Sequence, residues 1–113
     1  MTRQKMKYLV TGSKGPGFAS PEEGAVILEQ AALPSLEMLI KLEKRGKILA
    51  GGLPVGDRAF VFIVEAASHE EVDQFLQDLP LWGVLSWQVT PLQTFASRAA
   101  YERKALKKLK KAI

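Results

Sequence analysis

The side chains able to do chemistry are few. Two adjacent carboxylates, Glu22 and Glu23, stand at the start of the first helical stretch. Two cations, Lys14 in "GSKGPGF" and Arg58 before the third strand, are the body's best placed anion holders. There is no cysteine, which excludes disulfides, thiolate catalysis and cysteine-ligated zinc. The one histidine, His69, directly follows a helix cap and reads as a surface residue. A metal would have to be held by carboxylates alone, and no such cluster is visible. No metal or other cofactor is expected. "GSKGPGF" leads from a strand to a helix N-terminus but lacks G-x-x-x-x-G-K-[ST], so it reads as an ordinary loop.

The elements that must position these residues can be read in order. "KMKYLVTG" alternates as a first strand, with Met6, Tyr8 and Val10 on one face. "SPEE" starts a helix: Ser20 caps it, Pro21 suits the first position and Glu23 suits a capping box. Acids in a first turn also complement the helix dipole, which explains Glu22 and Glu23 without catalysis. The helix should run to about Arg45 and stop at Gly46, with a kink or a break at Pro34. "KILAGG" is a second strand, "GGLPVGD" a hairpin connection and "RAFVFIVEA" the strongest strand signal. "SHEE" repeats the helix start 48 residues after "SPEE", and "VLSWQVTPL" makes a fourth strand. Two strand–helix–strand units joined by a hairpin give a ferredoxin-like α+β fold, a four-stranded antiparallel sheet with helices on one face.

Both tryptophans lie in residues 79–92, "LPLWGVLSWQVTPL". Trp87 shares a strand face with Leu85 and Val89 and is expected in the core. Trp82 precedes the strand, where a pocket rim and simple packing are both open to it. On the third strand Phe60, Phe62 and Val64 occupy one face, while Ala59, Val61 and Ile63 occupy the other. Helices cover only one face, and each large apolar side chain left in water forfeits roughly 1.5–3 kcal/mol. A homodimer or a larger assembly of dimers is therefore expected, and Phe62→Glu should split or unfold it.

The 113 residues, 47% hydrophobic and 25% charged, suit a single globular domain. No apolar run is long enough to cross a bilayer, and the N-terminus carries no secretory pattern, so a cytoplasmic protein is expected. Residues 1–92 should form the domain and residues 93–113 a basic amphipathic helix. Residues 98–111 carry a charge of +6, which leaves −2 for the rest of the +4 chain. An apolar stripe of Phe95, Ala99, Leu106, Leu109 and Ile113 lets that helix dock on the domain. A partner subunit, an anionic membrane and nucleic acid are the other partners it could meet.

The element order, the two apolar sheet faces and "LQDLPLWGVLSWQVTPL" together resemble the muconolactone isomerase family. The "PEE" helix start and "RGK" helix stop are similar too. The resemblance implies a dimeric α+β barrel formed sheet against sheet. It also implies a proton carrier and a cation for a carboxylate substrate, with Glu22 and Glu23 matching the acidic helix start. A lysine would be sought farther along that helix, but residues 24–33 contain none. The expectation is therefore a protein that binds or transforms a small anionic organic molecule without appreciable muconolactone isomerisation. Its cleft would be formed by Tyr8, Lys14, Arg58 and Trp82. The residues do not choose between an enzyme and a binding protein. The alternative is an RRM-like RNA-binding module, since "RAFVFIV" partly matches an RRM strand and Tyr8 could stack a base. The slightly acidic body argues against nucleic acid as a partner.

Overall fold

A computed structural model describes residues 5–113. Residues 1–4 of the expected 1–92 domain lie outside the described residues. The chain forms β1 (Met6–Ser13), α1 (Pro21–Ile27), α2 (Leu33–Lys44), β2 (Ile48–Gly52) and β3 (Phe60–Ala66). It continues through α3 (His69–Gln77) and β4 (Ser86–Leu92) to α4 (Phe95–Lys111). The strands make one antiparallel sheet in the order β2-β3-β1-β4, the ferredoxin-like arrangement expected from two crossovers joined by a hairpin.

Strand alternation sets the core. Tyr8 and Val10 of β1 and Phe60, Phe62, Val64 and Ala66 of β3 point toward the helices and are buried. They meet Val72, Phe75 and Leu76 of α3, with Phe62 and Phe75 edge to face at 5.9 Å. Trp87 packs against this core as the alternation of β4 implied, with its ring 6.5 Å from that of Phe60. Its indole N–H donates to the Trp82 carbonyl at 3.0 Å. Because Phe62 faces α3, Phe62→Glu would place a charge in the core and unfold the domain, so it cannot report on sheet pairing. Leu9, Thr11, Val61 and Ile63 face away from the helices, and all four are half-buried.

Pro34 interrupts the α-helical register as expected, but the helix is not broken in two. Residues Leu28–Ala32 form a π turn in which the Leu33 N–H donates to the Leu28 carbonyl, one residue farther back than in an α-helix. The wider turn accommodates a proline that has no N–H to donate and whose ring would otherwise crowd the Gln30 carbonyl. Helical dihedrals run on through Leu33 into α2.

The two repeated helix starts cap alike. Ser20 Oγ accepts from Glu23 N at 3.1 Å, and Ser68 Oγ accepts from Glu71 N at 3.2 Å. The Glu71 carboxylate turns elsewhere, taking the Lys47 ammonium on one oxygen and the Ala67 N–H at 2.9 Å on the other. Lys47 first, and then Ala67, hold this carboxyl below its usual value against an opposing effect of burial. A depressed carboxylate stabilises the fold above its unfolded value, near 4.5 for glutamate, and this contribution fades as pH falls through the lower folded value. The side chain is 39% exposed, so solvent screening limits the effect. Glu71→Gln is expected to cost about 1 kcal/mol at pH 7. Urea unfolding should show that difference shrinking once the pH is well below 4.5. A difference independent of pH would show that the ion pair contributes nothing.

The last helix departs from expectation. It projects from the domain instead of docking on it, giving the chain extents of 68 × 36 × 21 Å, and it packs substantially on no other described element. Phe95 is 97% exposed and Leu109 64%. The cause is local: Thr94 Oγ1 caps the helix from Ser97 N at 3.0 Å, and Gln93 Nε2 donates to Ser97 Oγ at 3.2 Å. This double tie sets the exit direction immediately after β4. Among the described residues no helix is long and apolar enough to cross a membrane.

Candidate functional site

A cleft of about 270 Å³ opens where the π turn faces the start of β3. Phe18, Leu28, Leu36, Phe60, Leu81 and Leu85 supply most of its apolar wall, and Gly15, Asp57 and Arg58 border it. Local bonding holds the polar rim in place. The Gly15 N–H donates to the Arg58 carbonyl at 3.0 Å, and the Arg58 N–H donates to Asp57 Oδ1 at 2.8 Å. Lys14, with a φ of 59°, turns the backbone into this contact at the modest cost of a left-handed residue. On the far wall, Leu81 is fixed through its N–H, which donates at 3.0 Å to the fully buried Ser35 hydroxyl. Gly24 lets Phe18 lie against α1, because a Cβ there would sit 2.7 Å from the ring. Among the described residues no acidic side chain pairs with the Arg58 guanidinium.

The four residues expected to form one pocket are not brought together. Arg58 borders the cleft. Lys14 is exposed on the adjoining loop and does not line it. Trp82 sits in a short 3-10 turn, Trp82–Val84, and the residue is 45% exposed; its neighbours Leu81 and Leu85 wall the cleft in its place. Tyr8 is farthest away. It pairs with Val64 on β3, about 20 Å along the strand from Arg58 at ~3.3 Å per residue. Glu22 and Glu23 are exposed on the first turn of α1 and do not line the cleft. Residues 15–18 lie between them and Arg58, with Gly17 beside the guanidinium and Phe18 against Gly24.

Tyr8 belongs to a second cleft of about 280 Å³ between α3 and β4, lined also by His69, Val72, Asp73, Val89 and Pro91. The Tyr8 residue is 1% exposed, and its hydroxyl shares a hydrogen bond with His69 Nδ1 at 2.7 Å. Burial first, and then the charges of Glu70 and Glu71, hold the phenol above its usual value and keep it protonated. Reading His69 as a plain surface residue missed this bond. The signal was topological: β3 ends at Ala66 opposite Met6, so the start of α3 must fall over the start of β1.

The same geometry gives the RNA-binding alternative no support. Phe60, Phe62 and Tyr8, the rings that would stack bases, face the helices and are buried. The open face offers Leu9, Val61 and Ile63 and no aromatic side chain.

The sequence model of the muconolactone delta-isomerase family matches the chain over residues 22–98. The chain belongs to the muconolactone delta-isomerase family. The match begins at the acidic start of α1, covers the Arg58 cleft except for Gly15, Pro16 and Phe18, and ends in the first turn of α4. It leaves β1 and most of α4 outside, including the exposed stripe beyond Phe95. No curated protein matches the chain. The lysine sought in residues 24–33 remains without a counterpart, and the π turn in that segment, Leu28–Ala32, carries Glu29 as its charged residue.

Proposed function

We propose that the chain binds a small organic anion with an apolar body in the cleft between the π turn and β3. Arg58 would hold the carboxylate, and the chain would work as a homodimer or a larger assembly of dimers. One observation carries the reading: an arginine whose guanidinium pairs with no acidic side chain among the described residues borders a cleft that is apolar apart from Asp57 beside it. Small-molecule sites have this character, an apolar enclosure with a few polar groups that fix orientation. A guanidinium presents paired donors to a carboxylate, and loss of a charged hydrogen bond of this kind costs about 1.5–3 kcal/mol. Sheet pairing is supported by the half-buried apolar residues opposite the helices, which no helix among the described residues covers.

Muconolactone is the first probe, since the family name specifies it. Titration calorimetry should detect binding, and Arg58→Ala should weaken it about 10- to 100-fold. Unchanged affinity in that variant, or no binding of muconolactone or of any of a series of small carboxylates, would overturn the reading. Appreciable isomerisation is not expected, because among the described residues Asp57 is the only carboxylate bordering the cleft and its Oδ1 already accepts from the Arg58 N–H. Turnover that disappears in Glu22→Gln or Glu23→Gln would show instead that an exposed acid of α1 reaches the substrate.

A further inference from the structure

The last helix exposes a stripe that its own domain does not use. Phe95, Ala99, Glu102, Leu106, Leu109 and Ile113 recur at spacings of four and three, the narrow seam by which one helix meets another surface. Seven lysines and arginines surround this seam in residues 98–111. Two surfaces of a second copy could receive it. Pairing with another α4 would bring together two segments of charge +6 and set Glu102 opposite the partner's seam. The cleft between α3 and β4 is complementary instead. Its floor is Val72, Val89 and Pro91, with Val89 left 39% exposed on the core side of the sheet. Asp73 borders this cleft, and α3 also carries the exposed Glu70, while Glu71 is already held by Lys47.

We propose that α4 is an exchange arm whose apolar seam docks in the α3–β4 cleft of a second copy of the chain. Its lysines and arginines then face the acids of the partner's α3. The arm does not fill its own cleft, because the cap at Thr94 and the tie from Gln93 direct it away from the domain. Docking would close the solvent side of the cleft beside the Tyr8–His69 bond. The inference is independent of any ligand in the Arg58 cleft, and it lies largely outside the family match.

Photocrosslinking of the full chain tests it. Benzoylphenylalanine replaces Leu109 in an isotopically heavy copy, which is mixed with a light copy, irradiated and mapped by mass spectrometry. Heavy-to-light adducts on Val72, Asp73, Val89 or Pro91 are the expected result. Adducts confined to residues 95–113 of the other copy, to the same chain, or absent altogether would overturn the proposal. Leu106→Glu combined with Leu109→Glu should weaken self-association at least ~10-fold while circular dichroism shows the body folded. Asp73→Lys should weaken it in the same direction. Unchanged self-association with lost binding to phosphatidylserine vesicles, or to a random RNA, would assign the arm to a membrane or to nucleic acid.

Discussion

Ile63→Glu is expected to yield a folded monomer, where the parent chain is expected to sediment as a dimer or larger. Ile63 sits in the middle of β3 between Leu9 on β1 and Ala50 on β2, on the sheet face that no helix covers. In the single chain it is already half in water, so a glutamate there can keep its charge hydrated and the domain should fold. In a sheet-to-sheet dimer each copy would bury that carboxylate without a partner and lose an apolar contact. The lost contact is worth roughly 1.5–3 kcal/mol per side chain, and burying an unpaired charge costs more again. A loss beyond about 2.7 kcal/mol weakens association more than ~100-fold. Sedimentation equilibrium at micromolar concentration reads this directly. An Ile63→Glu protein that still pairs as tightly as the parent would mean the open face is not the interface. The arm exchanged through α4 would then be the first alternative to examine.

Gly51→Ala should be the most damaging small substitution in the domain. Gly51 lies in β2 beyond the irregularity between Ile48 and Ala50, with a φ of 149° that side chains rarely adopt. A Cβ there would stand 2.5 Å from the Val61 carbonyl oxygen and 2.5 Å from the Phe62 Cβ. Backbone strain of about 1–3 kcal/mol and overpacking of about 1–3 kcal/mol act together, out of a total stability of only ~5–15 kcal/mol. Gly46 is the control. Its φ is 78°, but nothing lies within 4 Å of the space a Cβ would take. Gly46→Ala should therefore cost about 1 kcal/mol, the conformational part alone. Denaturant melts of the two variants separate the effects, and equal losses would show that the crowding at Gly51 relaxes without cost.

The sequence by itself determined the local decisions, because each depends on neighbours in the chain. The serine caps at Ser20 and Ser68, the irregular register before Pro34, and the inward alternation of Tyr8, Phe60, Phe62 and Val64 follow from propensity, capping and period. Those decisions were enough for the sheet order and for the family. The site was less legible, because a cleft is made by residues far apart in sequence whose side chains converge only after packing. Arg58 could be chosen from its charge and its place before β3, but Tyr8 could not be excluded from its cleft until the register put it opposite Val64. Leu81, not Trp82, became a wall because the buried Ser35 hydroxyl, 46 residues earlier, takes its N–H. The bond from Tyr8 to His69 likewise joins residues 61 apart and arises only from the α3 crossover. The last helix was readable as amphipathic, yet its direction was decided by the cap and tie at Thr94 and Gln93, which leave its apolar seam without a surface of its own.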